Sequence, residues 1–265
     1  MDALVENDIM PDYMIGVSAG AAYGVSMASK QPRRNLDVLM KYRNDKRYLG
    51  LSNMIDKDNK SIYGLEFSYE TIPNELNLFD YDAFKQYKGD FYCVVTNLLT
   101  GQPEYMKYTG DDRTNTVLKA TCALPMLFPP IIINDVPYMD GGLSDSIPYL
   151  KAIEDGCDRI IVVLTRQSGY TKTTSRSTKA IAYSYRNQYP KLTETMLTRA
   201  SRYNESLKGL DQYVKEGRII TIQPTTSKGF SRLEKDKNKI LSMYNDSYNQ
   251  CYELLDTIKE FYGIK

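Results

Sequence analysis

The chain has 265 residues, 42% of them hydrophobic and 25% charged, with a net charge of +1. These are ordinary values for one large globular unit, or for one unit with an appendage. The balance gives no basic field of the kind that nucleic-acid binders carry, and no apolar run reaches the ~18 residues needed to cross a membrane.

The opening MDALVENDIMPDY carries acids and lacks the basic flank and apolar core of a signal peptide. Four separated cysteines (Cys93, Cys122, Cys157, Cys251) form no C-x-x-C pair, and there is no histidine. No metal site is therefore expected, and the cysteines read as reduced thiols of a cytoplasmic protein. Charge divides unevenly. Residues 165–265 hold 18 Lys+Arg against 10 Asp+Glu, and the remainder holds 16 against 23, which points to two units.

In chain order, Asp2 to Ile9 reads as a short helix ending near Pro11, and Tyr13 to Val17 as a short buried strand. From Ser18 the small residues of SAGAAYGVSMAS predict a helix packed close to its neighbours. A helix near Asn35–Asn44 and a polar, tyrosine-rich stretch to about Gly89 follow. DFYCVVTNLLTGQPEYMKY predicts two strands joined at Thr100-Gly101, and TVLKATCALP a helix closed by Pro125. PPIIINDVPYMDGG predicts a second strand pair turning at Asn134-Asp135. IPYLKAIEDGC fits a helix with Gly156 just past its end, and RIIVVLT a buried parallel strand. This alternation makes the first 165 residues α/β. QSGYTKTTSRSTK, from Gln167 to Lys179, has no acid and reads as an exposed basic loop. Beyond it lie a long helical region to about Glu216, a strand at Arg218–Gln223 and two helices around Arg232–Tyr262.

Gly16-Val17-Ser18-Ala19-Gly20 spells G-x-S-x-G between the first predicted strand and helix, the setting of a nucleophile elbow. The expected reason for Gly16 and Gly20 is that both keep side chains clear of a strained turn. A serine hydroxyl needs a base to take its proton, and histidine is excluded. Lys, Asp or Glu remain. Asp140 in YMDGG follows an apolar strand, where burial raises a carboxylate's proton affinity, and Gly141-Gly142 permits close approach. A plain turn is the other reading of DGG. A Ser–Lys pair with Lys30 or Lys119 lacks the S-x-x-K spacing. Met126, Leu127 and Phe128 read as core residues, or as liners of an apolar pocket.

MPDYMIGVSAGAA, ATCALPMLFPP and YMDGGLSDSIP, in that order, resemble the bacterial patatin-like phospholipases across roughly residues 1–165. The resemblance implies a three-layer α/β/α sandwich and lipid acyl ester hydrolysis through an acyl-enzyme, with no metal or cofactor. It implies Ser18 as nucleophile and Asp140 as general base. Gly16, Val17, Ala19 and Gly20 would form the elbow, Ala19 giving a backbone oxyanion donor, and Gly141 and Gly142 the base loop. Residues 166–265 resemble the mainly helical appendage of one intracellular branch, with no role attached.

The family's first strand and glycine-rich oxyanion loop have no counterpart here, since the match starts at the helix that follows them. The expectation is an exposed sheet edge beside Tyr13–Val17 and a weak enzyme. The rival reading is a lipid- or protein-binding scaffold of the same fold. Arg166, Lys172, Arg176 and Lys179 would either meet anionic headgroups at a membrane surface or form a solvated linker. Twenty-three tyrosines beside no tryptophan has no physical explanation here.

Overall fold

In a computed structural model, which describes residues 1–231 and 233–264, the chain opens with one helical turn, α1 (Asp2–Val5). The expected helix to Ile9 stops short because Asp8 turns into the left-handed region, with φ of 54°. Strand β1 (Tyr13–Val17) leads into α2 (Ala19–Ala28), and α3 (Arg34–Tyr42) follows. Small residues do pack α2 closely: a Cβ at Gly24 would lie 3.1 Å from the Phe91 ring.

The tyrosine-rich stretch, read from sequence only as polar, holds α4 (Ser52–Ile55), a π-helical segment Phe67–Leu76 and α5 (Tyr81–Lys85). The π segment contains Pro73, which has no N–H to donate to a helical ladder. Widened turns of this kind are rare and leave no simple apolar period to read.

Next come β2 (Asp90–Asn97) and β3 (Pro103–Lys107), then α6 (Thr116–Cys122). Strands β4 (Ile131–Ile133) and β5 (Val136–Asp140) form the second predicted pair. Their connecting residues Asn134 and Asp135 both have positive φ, 49° and 63°. That is the backbone a two-residue hairpin with a type I′ turn requires. A 3-10 turn (Gly141–Leu143), α7 (Tyr149–Glu154) and β6 (Ile160–Val163) continue the chain. The remainder is α8 (Arg176–Ser184), α9 (Pro190–Lys215), β7 (Ile219–Ile222), α10 (Lys237–Glu253) and α11 (Leu255–Tyr262). Arg232, where the expected last helical pair was to begin, lies outside the described residues. The basic loop is shorter than expected. The Ser175 hydroxyl accepts the Thr178 N–H and caps α8, so Arg176 and Lys179 are helical.

The main sheet runs β1-β2-β5-β4, with β3 added on β2. β1 is parallel to β2 and β5 antiparallel to it, the two following one another along one edge of β2 while β3 holds the other. Alternation along β2 sends Phe91 and Cys93 to one face, where they pack with Ala21 and Val25 of α2 and Phe84 of α5. Met139, paired with Thr96 and so on the other face, packs with Leu98, Ala182, Leu192 and Met196 of the α8–α9 side. Helices therefore cover both faces in an α/β/α arrangement.

β6 and β7 form a separate parallel pair. β6 is only partly buried, not buried as its apolar sequence suggests, and Val163 is 48% exposed. Among the described residues β1 has a strand partner on one edge only, and β1 and β6 both line one large cavity. The carboxy-terminal helices close against the start of the chain. Cys251, Leu255 and Ile258 pack on Ala3 and Leu4, and the Tyr244 hydroxyl donates to Asp2 at 2.8 Å.

Helix α9 also presses on the β2–β3 hairpin. Thr195 Oγ1 donates to the Gly101 carbonyl at 2.8 Å, and a Cβ at Gly101 would meet that oxygen at 2.5 Å. Gly101 has φ of 70°, whereas Gly156, with φ of 97°, has open space around it. Gly101→Ala should thus cost both a backbone and a packing penalty, about 2–5 kcal/mol together, and Gly156→Ala only the backbone part, about 1–2 kcal/mol. Urea unfolding of the two variants measures the difference.

Candidate active site

Ser18 sits between β1 and α2 with φ of 54° and ψ of −121°. A non-glycine residue rarely adopts that backbone, and it persists only where the surroundings hold it. Two features hold it here. The Ser18 N–H donates to Thr121 Oγ1 at 2.9 Å, and the Thr121 hydroxyl donates to the Val94 carbonyl at 2.6 Å. Gly16 supplies the second, because a Cβ there would lie 2.5 Å from the Ala21 N and Cα atoms. The expectation for Gly20 is corrected: a Cβ at that position would meet nothing within 4 Å. The elbow needs the first glycine for space and not the second.

The Ser18 carbonyl accepts the Ala21 and Ala22 N–H groups, each at 3.0 Å. Among the described residues the Ala19 and Gly20 amides have no acceptor. They are the first orphan donors of α2, at the positive end of its dipole.

Asp140 ends β5 on the same edge of β2 as β1, and is only 3% exposed. It pairs with Val95, while Val17 pairs with Val94, so one step past Val17 brings Ser18 level with the same residue. Because β3 occupies the other edge of β2 along Tyr92–Thr96, β1 and β5 follow one another on a single edge, and their ends meet at Val94 and Val95, which brings Ser18 close to Asp140. Asp140 Oδ1 accepts the Gly142 N–H at 2.8 Å, and Thr96 Oγ1 donates to the Asp140 carbonyl at 2.8 Å. Gly141 is required by space, since a Cβ would stand 2.1 Å from the Val94 carbonyl oxygen. A Cβ at Gly142 would stand 3.0 Å from Asp140 Oδ1, 3.4 Å from Arg199 Nη2 and 3.5 Å from Val17 Cγ1. The base loop therefore folds directly onto the residue before Ser18.

Cys122 lies between these groups, its thiol beside the hydroxyls of Tyr69 and Ser18 and within reach of the Asp140 charge. Burial pushes the thiol up from 9.0 to about 12. The Tyr69 hydrogen bond opposes that, Asp140 adds to it, and Ser18 opposes it.

Ser18, Asp140, Gly142, Tyr69, Cys122 and Arg199 line one cavity of about 1750 Å³, whose walls are mainly apolar. Phe128 lines it too. Of the other two suggested liners, Leu127 packs in the core beneath the α8–α9 side and Met126 is exposed. Neither Lys30 nor Lys119 lines it, and Lys119 Nζ is engaged by Glu70 at 2.6 Å. The four basic residues separate. Arg166 lies over Tyr170 and Lys172 over Tyr203 in the cavity wall, while Arg176 and Lys179 are exposed on α8.

Sequence reading missed Thr121 and Cys122, although both stand in the quoted ATCALP, and missed Arg199 and Arg202 altogether. A hydroxyl that bridges two other segments has no local signal.

A family model described as patatin-like phospholipase matches residues 1–153, and one described as a domain of unknown function (DUF6363) matches residues 189–263. The chain is 26% identical over 165 residues to the uncharacterized protein YjjU of Escherichia coli, covering 58% of this chain and 43% of that protein. It is 27% identical over 172 residues to lysophospholipase nte1 of Aspergillus terreus, covering 61% of this chain and 10% of that protein. The chain thus spans less than half the length of these curated relatives.

Two outcomes follow from the geometry. Gly16→Ala should destabilise the protein by about 1–3 kcal/mol through overpacking, while Gly20→Ala should be neutral or stabilising by up to about 1 kcal/mol, as alanine is in a helix. Denaturant midpoints decide between them. For Cys122 the folded state holds the proton more tightly than the unfolded state. Its contribution is complete below pH 9.0 and is lost as pH rises from there toward about 12. Cys122→Ala should therefore lose less stability than the parent chain between about pH 9 and 11, read by urea unfolding across that range.

Proposed function

Because this chain belongs to the patatin-like phospholipase family, we propose that it hydrolyses lipid acyl esters with Ser18 as nucleophile and Asp140 as general base. The observation that carries the reading is the register along β2. It makes the ends of β1 and β5 meet on one edge, so that a strained serine at a helix N-terminus stands beside a buried carboxylate, both lining one apolar cavity. The lysophospholipase among the relatives supports a lipid ester as substrate.

In this mechanism Asp140 takes the Ser18 proton as Ser18 Oγ attacks the ester carbonyl. The tetrahedral oxyanion is met by the Ala19 amide, with the Gly20 amide beside it, at the end of α2 where the helix dipole favours negative charge. Asp140 then returns the proton to the leaving alcohol. Water, activated by the same carboxylate, releases the acyl group. The Gly142 N–H on Asp140 Oδ1 fixes the carboxylate's orientation. The apolar walls take the acyl chain.

No described helix is long and apolar enough to cross a membrane. The reading is of a cytoplasmic enzyme that meets lipid at a surface. In this reading Arg176 and Lys179, exposed on α8, meet anionic headgroups, and Arg166 and Lys172 line the cavity.

Ser18→Ala and Asp140→Asn should each remove most hydrolysis of a short-chain p-nitrophenyl ester, by about 10³-fold or more. The double variant should be little worse than either one, because the two act as a unit. Turnover undiminished by Ser18→Ala would end the serine-hydrolase reading. Multiplying losses would end the dyad.

A further inference from the structure

We propose that α9, within the stretch matched by the domain of unknown function, positions the catalytic loop, with Arg199 and Arg202 as its positioning residues. The proposal rests on the reading of Asp140 as general base. Three consecutive carbonyls after Asp140 take their partners from this helix. Arg199 Nε donates to the Gly142 carbonyl at 2.5 Å. Arg202 Nη2 donates to the Leu143 carbonyl at 2.7 Å, and its Nε to the Ser144 carbonyl at 3.2 Å.

The loop has little means of holding this shape by itself. Its 3-10 turn spans only Gly141–Leu143, and the Ser144 and Asp145 N–H groups both return to the single Gly141 carbonyl. A turn so short leaves its following carbonyls unpaired within the turn. Ser146 Oγ reaches Gly142 at 2.8 Å, and Ser144 Oγ meets Thr96 Oγ1 at 2.8 Å. Among the described residues the other hydrogen bonds to the Gly142, Leu143 and Ser144 carbonyls come from guanidinium groups, and charge-assisted bonds are about twice as strong as neutral ones.

The two arginines are themselves tied down. Arg202 Nη2 also donates to the Thr195 carbonyl at 2.8 Å, two turns back on α9. Thr195 anchors that turn to the β2–β3 hairpin through Gly101. The helix is thus referenced to the same sheet that carries Asp140.

Gly142 is the pivot. Its N–H orients Asp140 Oδ1 and its carbonyl is held by Arg199, so the two bonds grip one residue from opposite sides. Sliding that residue by 1 Å moves the carboxylate relative to Ser18, and displacements of that size cost about 100-fold in well-oriented reactions. Arg199 and Arg202 act on the chemistry through this loop.

The test uses the full chain and its Arg199→Gln, Arg199→Lys and Arg202→Gln variants. Amide hydrogen exchange at Gly142, Ser144 and Asp145 reports the loop, and ester turnover reports the base. Arg199→Gln should speed exchange at these amides at least tenfold while distant β2 amides keep their protection. It should lower kcat at least tenfold with KM within twofold. Arg199→Lys, which keeps one cationic donor, should recover most of both. If Arg202→Gln fails to fold, the Arg199 pair carries the test.

Unchanged exchange in Arg199→Gln overturns the proposal, as does faster exchange with unchanged kcat. A parent chain that turns over no ester, with or without Ser18, sinks the dyad reading instead. The exchange measurement then still passes or fails the grip of α9 on the loop.

Discussion

One hydroxyl group organises this molecule. Thr121 Oγ1 accepts the Ser18 N–H, and its own O–H donates to the Val94 carbonyl. It thereby joins the turn after β1, the middle of β2 and the last turn of α6. A serine at φ of 54° costs about 1–3 kcal/mol and is kept only where its neighbours over-determine it. The Thr121 side chain does so with both of its hydrogen-bonding capacities satisfied and no exposure to water. Because the residue after it is Cys122, the same helix end also sets a small, protonated thiol against the serine.

β2 is the datum for everything else at the site. Along one edge its residues Val94 and Val95 receive the ends of β1 and β5, while β3 takes the other edge. The glycines that permit this are those with no room for a side chain, Gly16 against α2 and Gly141 against the Val94 carbonyl. Gly20 and Gly142 have different surroundings: open space around the first, the Asp140 carboxylate and Arg199 around the second. A G-x-S-x-G string treats its two glycines alike, but the packing distinguishes them.

The carboxy-terminal stretch is bound into the sheet-bearing part at three places. β7 pairs with β6, α10 and α11 pack on α1, and α9 reaches the loop after Asp140. Its net positive charge, read from sequence as a mark of a separate unit, is in part spent on carbonyl oxygens of that loop. Arginine suits this use, since its planar fork bonds two or three acceptors at once, whereas a lysine offers one point charge.

What the sequence by itself determined was local. The strand, the sharp turn at Ser18 and the helix after it lie within a few residues, so their pattern is carried by neighbours along the chain. The same holds for the Asn134-Asp135 turn, whose residue types tolerate positive φ, and for Gly156 at the end of α7. The absence of histidine narrowed the possible bases without any structure. Tertiary structure decided which distant groups meet. Thr121 reaches a residue 103 positions away, and Arg199 one 57 positions away. A threonine in a helix and an arginine on a polar helix face carry no sign of their partners, because neither bond imposes a period or a backbone conformation on its own segment. The π-helical turn around Pro73 and the half-exposed β6 were hidden for a related reason. Their form is set by what packs against them, and residues 67–76 and 160–163 do not themselves contain it.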